Sequence, residues 1–418
     1  MTSIVKQRIE QIRRGEVPEG YKKTKVGIVP IEWKETTVDK CVIEYVEKTT
    51  VENQYPVLTS ARSGLMLQSE YYSNNQVTTN DNVGYNVLPR GYVTYRSRSD
   101  DGRFRFNENQ IIDRGIISYF YPVFSFKTNV SHIFMLCLLN HTIYRQSYSF
   151  VEGTAQQVLS FKKLGSLKYC LPSLPEQQEI AEILSAQDKL IALKEKLIEE
   201  KKRQKKALMQ QLLTGKKRLP GCSGEWKKQK MSDILSERKE ENKDQTLRIC
   251  SVAVNSGVVD QREHLGKSMA ASDTSNYNVV HYGDIVYTKS PTGAFPYGIV
   301  KQSQLTENVA VSPLYGVYEP TSYEIGYLLN EYFMYSNNAN GYLLPIINKG
   351  AKNTINISNS TFITPSLYLP TDFEEIKKLA QIFKAANKEI EIIQKELYQE
   401  KQKKKALMQL LLTGIVRV

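Results

Sequence analysis

Two eleven-residue strings, KKALMQQLLTG from Lys205 to Gly215 and KKALMQLLLTG from Lys404 to Gly414, differ at one position and lie 199 residues apart. Chance does not supply such a match within one chain, so whatever this sequence folds into must be built twice. The two tryptophans also correspond, Glu32-Trp33-Lys34 with Glu225-Trp226-Lys227, at an offset of 193. Between these anchors the likeness is weaker but stays in order. Gly64, Gln68 and Glu70 match Gly257, Gln261 and Glu263; Gly91, Val93 and Tyr95 fall on Gly283, Ile285 and Tyr287; Gly153 falls on Gly350. Each half is thus a variable block of about 150 residues, one domain's worth, followed by one long helical segment.

The helical segments limit the architecture further. Neither Glu176 to Thr214 nor Thr371 to Thr413 contains glycine or proline, and both are rich in strong helix formers. Ser173-x-x-Glu176 and Thr371-x-x-Glu374 read as capping boxes, and Gly215 and Gly414 stand where a C′ glycine belongs. A helix of about 40 residues rises ~60 Å, more than the width of a small domain, and needs a partner. Seven-residue spacing supplies the pairing face: Leu184, Ile191, Ile198, Lys205 and Leu212 form one column, and Phe383, Ile390, Leu397, Lys404 and Leu411 the other. Ile183, Leu190 and Leu197 are expected to double the first column. Antiparallel pairing is expected, because the second block starts soon after Gly215. It would carry the blocks to opposite ends of a rod. Residues 1–20 read as a short amphipathic arm with Ile4, Ile9 and Ile12 on its apolar side. The arm is expected to stand before the first block as the first long helix stands before the second. The expected segments are the arm at 1–20, a first block at 21–172, a central helix at 173–215, a second block at 216–370 and a C-terminal helix at 371–418.

Within the blocks, Gly-Tyr-Val-Thr-Tyr (91–95) and Gly-Asp-Ile-Val-Tyr (283–287) alternate like strands, while Ser131 to Tyr144 and Tyr323 to Tyr335 read as helices. The expected fold class is therefore α+β: two α+β domains separated by two long antiparallel coiled-coil helices, with a pseudo-two-fold internal repeat. A hydrophobic fraction of 41% fits real cores and excludes wholesale disorder. The apolar run Ile133 to Leu139 is far shorter than the roughly 20 residues that cross a bilayer, and no apolar leader is evident, so a cytoplasmic protein is expected.

The net charge of +12 favours a polyanionic partner, but it is uneven: counted along the chain it is +6 for 1–175, +4 for 176–218, −1 for 219–371 and +3 for 372–418. Local arginine placement therefore matters more than the total. The densest basic motif runs Tyr95-Arg96-Ser97-Arg98-Ser99 and then Arg103-Phe104-Arg105, with Arg62 upstream. Alternation on a hairpin would set Arg96 and Arg98 on one face and Arg103 and Arg105 on another, where guanidinium groups could hold phosphates or read guanine edges. A solvated hairpin with Asp100 and Asp101 as its counter-ions is the structural alternative. The matching place in the second block, Tyr287-Thr288-Lys289-Ser290, carries less charge. Two glycine-containing loops, 152–157 with Gln156 and 349–354 with Lys349, Lys352 and Asn353, could approach DNA closely or simply aim the helices.

A search for catalytic patterns returns nothing. There is no phosphate-binding G-x-x-x-x-G-K-[ST], no G-x-G-x-x-G, no H-E-x-x-H and no G-x-S-x-G. Five scattered cysteines without a C-x-x-C pair and four histidines (His132, His141, His264, His281) give neither a disulfide frame nor a metal set.

With two variable blocks, two helices ending KKALMQ-x-LLTG, and Leu174-Pro175-Glu176-Gln177-Gln178-Glu179-Ile180 opening the first helix, the chain closely resembles the specificity subunits of type I restriction-modification enzymes. The resemblance covers essentially the full length. It implies that each block is a target recognition domain reading one half of a bipartite site in double-stranded DNA. The helices would set the unspecified spacer and dock two modification (methyltransferase) subunits. S-adenosylmethionine would be bound by those partners, with no cofactor in this chain, and restriction and translocase subunits would complete the enzyme. The chain itself would not be catalytic. One departure is that Leu369-Pro370-Thr371-Asp372-Phe373 opens the second helix without the Glu-Gln-Gln string and with four extra residues. A self-contained DNA-modifying enzyme and a coiled-coil scaffold are the alternatives from other classes.

Overall fold

The computed structural model describes residues 3–71, 82–147, 157–265, 271–349 and 355–418. Its longer helices are α1 (Ser3–Arg13), α2 (His132–Ser147), α3 (Leu174–Leu212), α4 (Tyr323–Phe333) and α5 (Phe373–Leu411). The two long helices, α3 and α5, have 39 residues each and begin 199 positions apart, so the offset of the KKALMQ strings holds over their whole length. The four extra residues expected at the second helix start are not there. The caps follow the same register: Ser173 Oγ accepts from the Glu176 amide at 3.4 Å, and Asp372, not Thr371, accepts from the Glu374 amide at 3.0 Å. Thr371 is used elsewhere, with its hydroxyl and amide both bonded to the Glu225 carbonyl.

The chain divides into two compact units, one of residues 1–193 with 396–418 and one of residues 194–395, so both long helices run through each unit. In the first, a four-stranded antiparallel sheet has the order Phe106–Glu108, Val93–Tyr95, Val123–Phe126, Val42–Tyr45. In the second, the order is Ile299–Gln302, Ile285–Thr288, Gly316–Pro320, Leu235–Glu237. Strand by strand these are the same positions shifted by 192 or 193 residues, so the faint central repeat is one topology folded twice. The central strands Val93–Tyr95 and Ile285–Thr288 are buried along their whole length. Tyr95, Phe106, Phe124 and Phe134 close the first core, and Tyr287, Tyr318, Phe333 and Phe362 the second. Each such ring contributes roughly 1.5–3 kcal/mol by leaving water.

Within each unit the two long helices run antiparallel. In the first unit Gln187 Nε2 donates to the Glu400 carboxylate at 2.7 Å and Asp188 pairs with Lys404; in the second Lys201 pairs with Glu389 at 2.6 Å. In the first unit Glu176 and Gln187 meet Arg417 and Glu400, and in the second Lys201 and Arg218 meet Glu389 and Glu375, so within each unit rising numbers on one segment meet falling numbers on the other. The column residues divide by place. Leu184 and Leu411 are buried in the first unit's core, and Leu212 and Phe383 in the second's, so the helix ends double as domain core. Ile198 is buried and Ile191, Ile390 and Leu397 are half-buried. The expected second column is not a seam throughout: Ile183 is half-buried, but Leu190 and Leu197 are exposed, at 37% and 39%. Lysine in the fourth place has two fates. Lys404 stays with the helix pair, whereas Lys205 is buried and reaches Glu331 of α4 at 2.5 Å, and Asn387 of α5 donates to the same carboxylate at 2.9 Å.

Each long helix ends in a left-handed glycine against a block's tryptophan. Gly215 (φ +69°) has Trp226 beside it, and Gly414 (φ +72°) has Trp33. A Cβ on Gly414 would stand 2.6 Å from Pro30, so both backbone angle and space demand glycine. The C-terminus of α5 therefore holds, before the first block, the place that the end of α3 holds before the second. The N-terminal arm does not hold it. Instead α1 lies against the α5 terminus, with Arg8 Nη1 donating to the Ile415 carbonyl at 2.8 Å.

Candidate nucleic-acid interface

The RFRF string is a short amphipathic edge: Phe104 and Phe106 are 5% and 1% exposed, which turns Arg103 and Arg105 outward. Asn140 of α2 fixes that edge by bonding both the amide (2.9 Å) and the carbonyl (3.0 Å) of Phe106. On the preceding strand Tyr95 points inward, fully buried, with its hydroxyl donating to the Leu159 carbonyl at 3.0 Å. Burial drives that phenol far above its ordinary pKa. Tyr95 is therefore a core residue, and its reading as a DNA contact is corrected. Arg96 follows it into solvent, and Arg98 lies in the two-residue strand Arg98–Ser99, paired with Gln157–Val158.

The turn between these strands brings the arginines together. Gly102 has φ +72°, a left-handed conformation that favours glycine, and a Cβ there would also have to displace the Gln157 amide. Asp101 organises it. Its carboxylate accepts from Arg62 Nη2 at 2.5 Å, from Ser99 Oγ at 3.0 Å and from the Arg103 amide at 3.2 Å. Partial burial opposes ionisation of Asp101, but the hydrogen bonds from Arg103, Arg62 and Ser99 outweigh it and hold the carboxyl below its ordinary pKa. The result is one open cavity of about 480 Å³ lined by Arg62, Arg96, Arg98, Arg103 and Arg105. The expected separation of Arg96 and Arg98 from Arg103 and Arg105 onto two faces is thus replaced by one groove. Asp101 does serve as counter-ion to Arg62 and Arg103, so part of the structural alternative is also present.

Aromatic residues flank the groove. The Arg98 guanidinium stands 4.1 Å from the centre of the Phe120 ring, and Phe120 packs at 4.2 Å against Tyr119, which is 59% exposed. Tyr71 and Tyr121 line the cavity itself. Sequence reasoning passed over the Tyr119-Phe120-Tyr121 string, although three consecutive aromatics beside a basic motif are a readable signal of a stacking surface.

Among the described residues the second unit shows no matching cluster at its expected place. Lys289 is half-buried and burial lowers its pKa, with Glu237 opposing; Ser290 is exposed, its amide bonded to Thr288 Oγ1 at 3.2 Å. Lys349 lies in the strand Asn348–Lys349, but its side chain, like Gln156, Lys352 and Asn353, falls outside the described residues. Among the described residues no group of histidine, cysteine or carboxylate side chains is placed to hold a metal ion, and no helix is long and apolar enough to cross a membrane.

A further pair of residues, also missed in the sequence, ties each long helix into its unit. Arg417, just past α5, forks onto Glu176 in the first turn of α3 at 2.9–3.0 Å, and Arg218, just past α3, forks onto Glu375 in the first turn of α5 at 2.7–2.9 Å. Both members stand 199 residues apart, so the repeat reads T-G-x-x-R at the helix ends.

Residues 13–203 match the family described as the type I restriction modification DNA specificity domain. Over 223 residues the chain is 25% identical to a protein of Methanocaldococcus jannaschii described as the type I restriction enzyme MjaX specificity subunit. That alignment takes in 47% of this chain and 49% of the relative, so the match spans about half the relative's length. In fold, the chain is similar to the S subunit of a type I restriction-modification system from M. genitalium, with a TM-score of 0.54 and 13% identity over 91% of this chain and 96% of that one. It is also similar to a chain solved in work on complex assembly and conformational transition of the type I R-M system, with a TM-score of 0.51 and 12% identity over 93% and 99% of the two chains. The type I restriction modification DNA specificity domain is thus matched through the first block and into its long helix, and the second half of the chain repeats the topology of the first.

Proposed function

We propose that this chain is the DNA-reading subunit of a type I restriction-modification complex, with each α+β unit reading one half of a bipartite site in double-stranded DNA. The observation that carries the reading is the groove of five arginines in a unit that matches a DNA specificity domain. Arginine forks suit both phosphates and guanine edges, and the adjoining aromatics suit stacking. The unit-2 surface has fewer charges, so its share of the energy comes from hydrogen bonding and shape more than from counterion release.

In this reading the paired helices fix the spacer between half-sites and dock two methyltransferase subunits. Those partners bind S-adenosylmethionine and carry out methylation; restriction and translocase subunits add cleavage, and the assembly works in the cytoplasm. The chain contributes recognition, not chemistry. The test is a comparison of base-resolution methylomes from cells with and without this chain, in the presence of its modification partner. A methylated bipartite motif that disappears with the chain supports the reading. An unchanged methylome, or methyl transfer by the purified chain alone from labelled S-adenosylmethionine, overturns it.

A further inference from the structure

The repeat sets a groove at the same place in each unit, and in only one of the two does a helix of this chain form part of the wall. In the first unit a cavity of about 320 Å³ lies between the end of α5 with the turn that follows it (Gln409, Leu412, Thr413) and α2 (Leu138, Thr142). Ile9 and Ile12 of α1 form part of its wall. Two donors fasten this N-terminal segment to the end of α5: Arg8 Nη1 reaches the Ile415 carbonyl and the Tyr21 hydroxyl reaches the Gly414 carbonyl, each at 2.8 Å.

In the second unit a cavity of about 420 Å³ is lined by Gln210 of α3 and by Leu213 and Thr214 just past it, which stand 199 residues before Gln409, Leu412 and Thr413, and by Tyr332 of α4 and Tyr335. The turn beneath is the same turn. The Gly215 and Lys217 amides bond back to Leu212 and Gln211 as the Gly414 and Val416 amides bond back to Leu411 and Leu410, all at 3.0–3.3 Å. Only ten residues join Gly215 to Trp226, so nothing in the second unit corresponds to α1. Among the described residues no side chain donates to the carbonyls of Gly215 and Lys216, the counterparts of the two that Tyr21 and Arg8 occupy.

We propose that the unit-2 groove seats an amphipathic helix from another protein chain. The helix would present branched apolar side chains three residues apart, as Ile9 and Ile12 do, and an arginine or tyrosine donor for the Gly215 and Lys216 carbonyls. The helix beside the matching groove defines this chemistry: partial burial of two aliphatic side chains beside tyrosine and leucine walls, with charge-assisted bonds to the open end of a helix. The proposal rests on the docking part of the proposed function and is independent of DNA reading.

The test uses a labelled peptide of residues 1–20, the natural helix beside the matching groove, with the full chain, and needs neither DNA nor a methyltransferase. Expected are saturable one-to-one binding, photo-crosslinks from the Ile9 position to residues 206–214 or 332–338, and weakening by about tenfold in each of Thr214→Arg and Tyr335→Ala. Thr214 is exposed, so its variant tests the groove without touching the core. No binding, binding indifferent to both substitutions, or crosslinks confined to residues 409–415 would overturn the proposal. So would a full chain that self-associates through its own residues 1–20, which would assign the groove to a second copy. A failed peptide experiment leaves the methylome test standing, and the reverse holds as well.

Discussion

Asp101 takes hydrogen bonds from Arg62, Ser99 and Arg103 at once, so two of the five groove arginines are already positioned before any nucleic acid arrives. Arg98 is positioned differently, by the face of Phe120, which among the described residues leaves its fork donors able to turn toward a base edge. The two kinds of arginine predict different mutant behaviour in the assembled complex. Arg98→Ala should weaken binding by about 1–3 kcal/mol and relax the sequence read in one half-site only. A uniform loss across sequences, with a shallower salt dependence, would show Arg98 to be a phosphate contact instead. A second residue-scale prediction concerns Lys301, which is 3% exposed and has its pKa lowered to about 8 by burial, with Glu331 opposing that shift and Lys205 adding to it. Because the folded pKa is below the unfolded one, the folded state binds its proton less readily, and the penalty is full below pH 8 and fades as pH rises toward the unfolded value near 10.5. Lys301→Met should therefore raise stability by roughly 1–3 kcal/mol at neutral pH, and its advantage should shrink above pH 8, as read by thermal melts across that range. An advantage constant with pH would refute the assignment.

At the scale of elements, the long helices were legible because their signals are local: no glycine or proline inside, a glycine after the last turn and a repeated string. What was not legible was what each helix end touches. Leu184 and Phe383 fit a heptad column, yet they are buried in domain cores, and Leu190 and Leu197 fit a second column, yet they are exposed. Periodicity marks the apolar stripe of a helix but does not say whether another helix or a sheet covers it. The site reading, not the strand reading, failed at Tyr95: it heads the arginine motif, yet the strand Val93–Tyr95 is buried along its length and the ring sits in the core. The arginine groove itself depends on the turn at Gly102, a tertiary event with no period. The Arg218–Glu375 and Arg417–Glu176 forks join residues far apart in sequence, and only the T-G-x-x-R echo hints at them. They carry a direct prediction. Glu375 is 1% exposed, and Arg218→Ala leaves its carboxylate without the fork, so the variant should lose about 1–3 kcal/mol in denaturant unfolding. The double variant Arg218→Ala with Glu375→Gln should recover part of that loss, because the buried charge is gone. Equal losses in the single and double variants would assign the effect to Arg218 packing on Trp226 instead.

For the whole molecule the governing fact is that α3 and α5 are equal in length and antiparallel in both units, so a change in one helix alone breaks the register of the pair while the same change in both preserves it. Seven residues are two helical turns, ~10.5 Å of rise, close to three base pairs at ~3.4 Å each. One heptad inserted after Ala192 in α3 and one after Ile392 in α5 keeps each helix end in its own core and keeps the apolar columns in phase. If the helices set the spacer, methylation mapped at base resolution should show the same two half-site sequences separated by about three more base pairs. Three base pairs also turn the duplex by about a third of its ~10.5-bp repeat, so some loss of rate should accompany the change. The single-helix insertions should fail differently, by loss of assembly instead of a shifted motif, since they move Asp188 and Lys201 out of register with Lys404 and Glu389. A double insertion that methylates the original spacer with undiminished rate would show that the units find their half-sites without reference to helix length, and the helices would then serve docking alone.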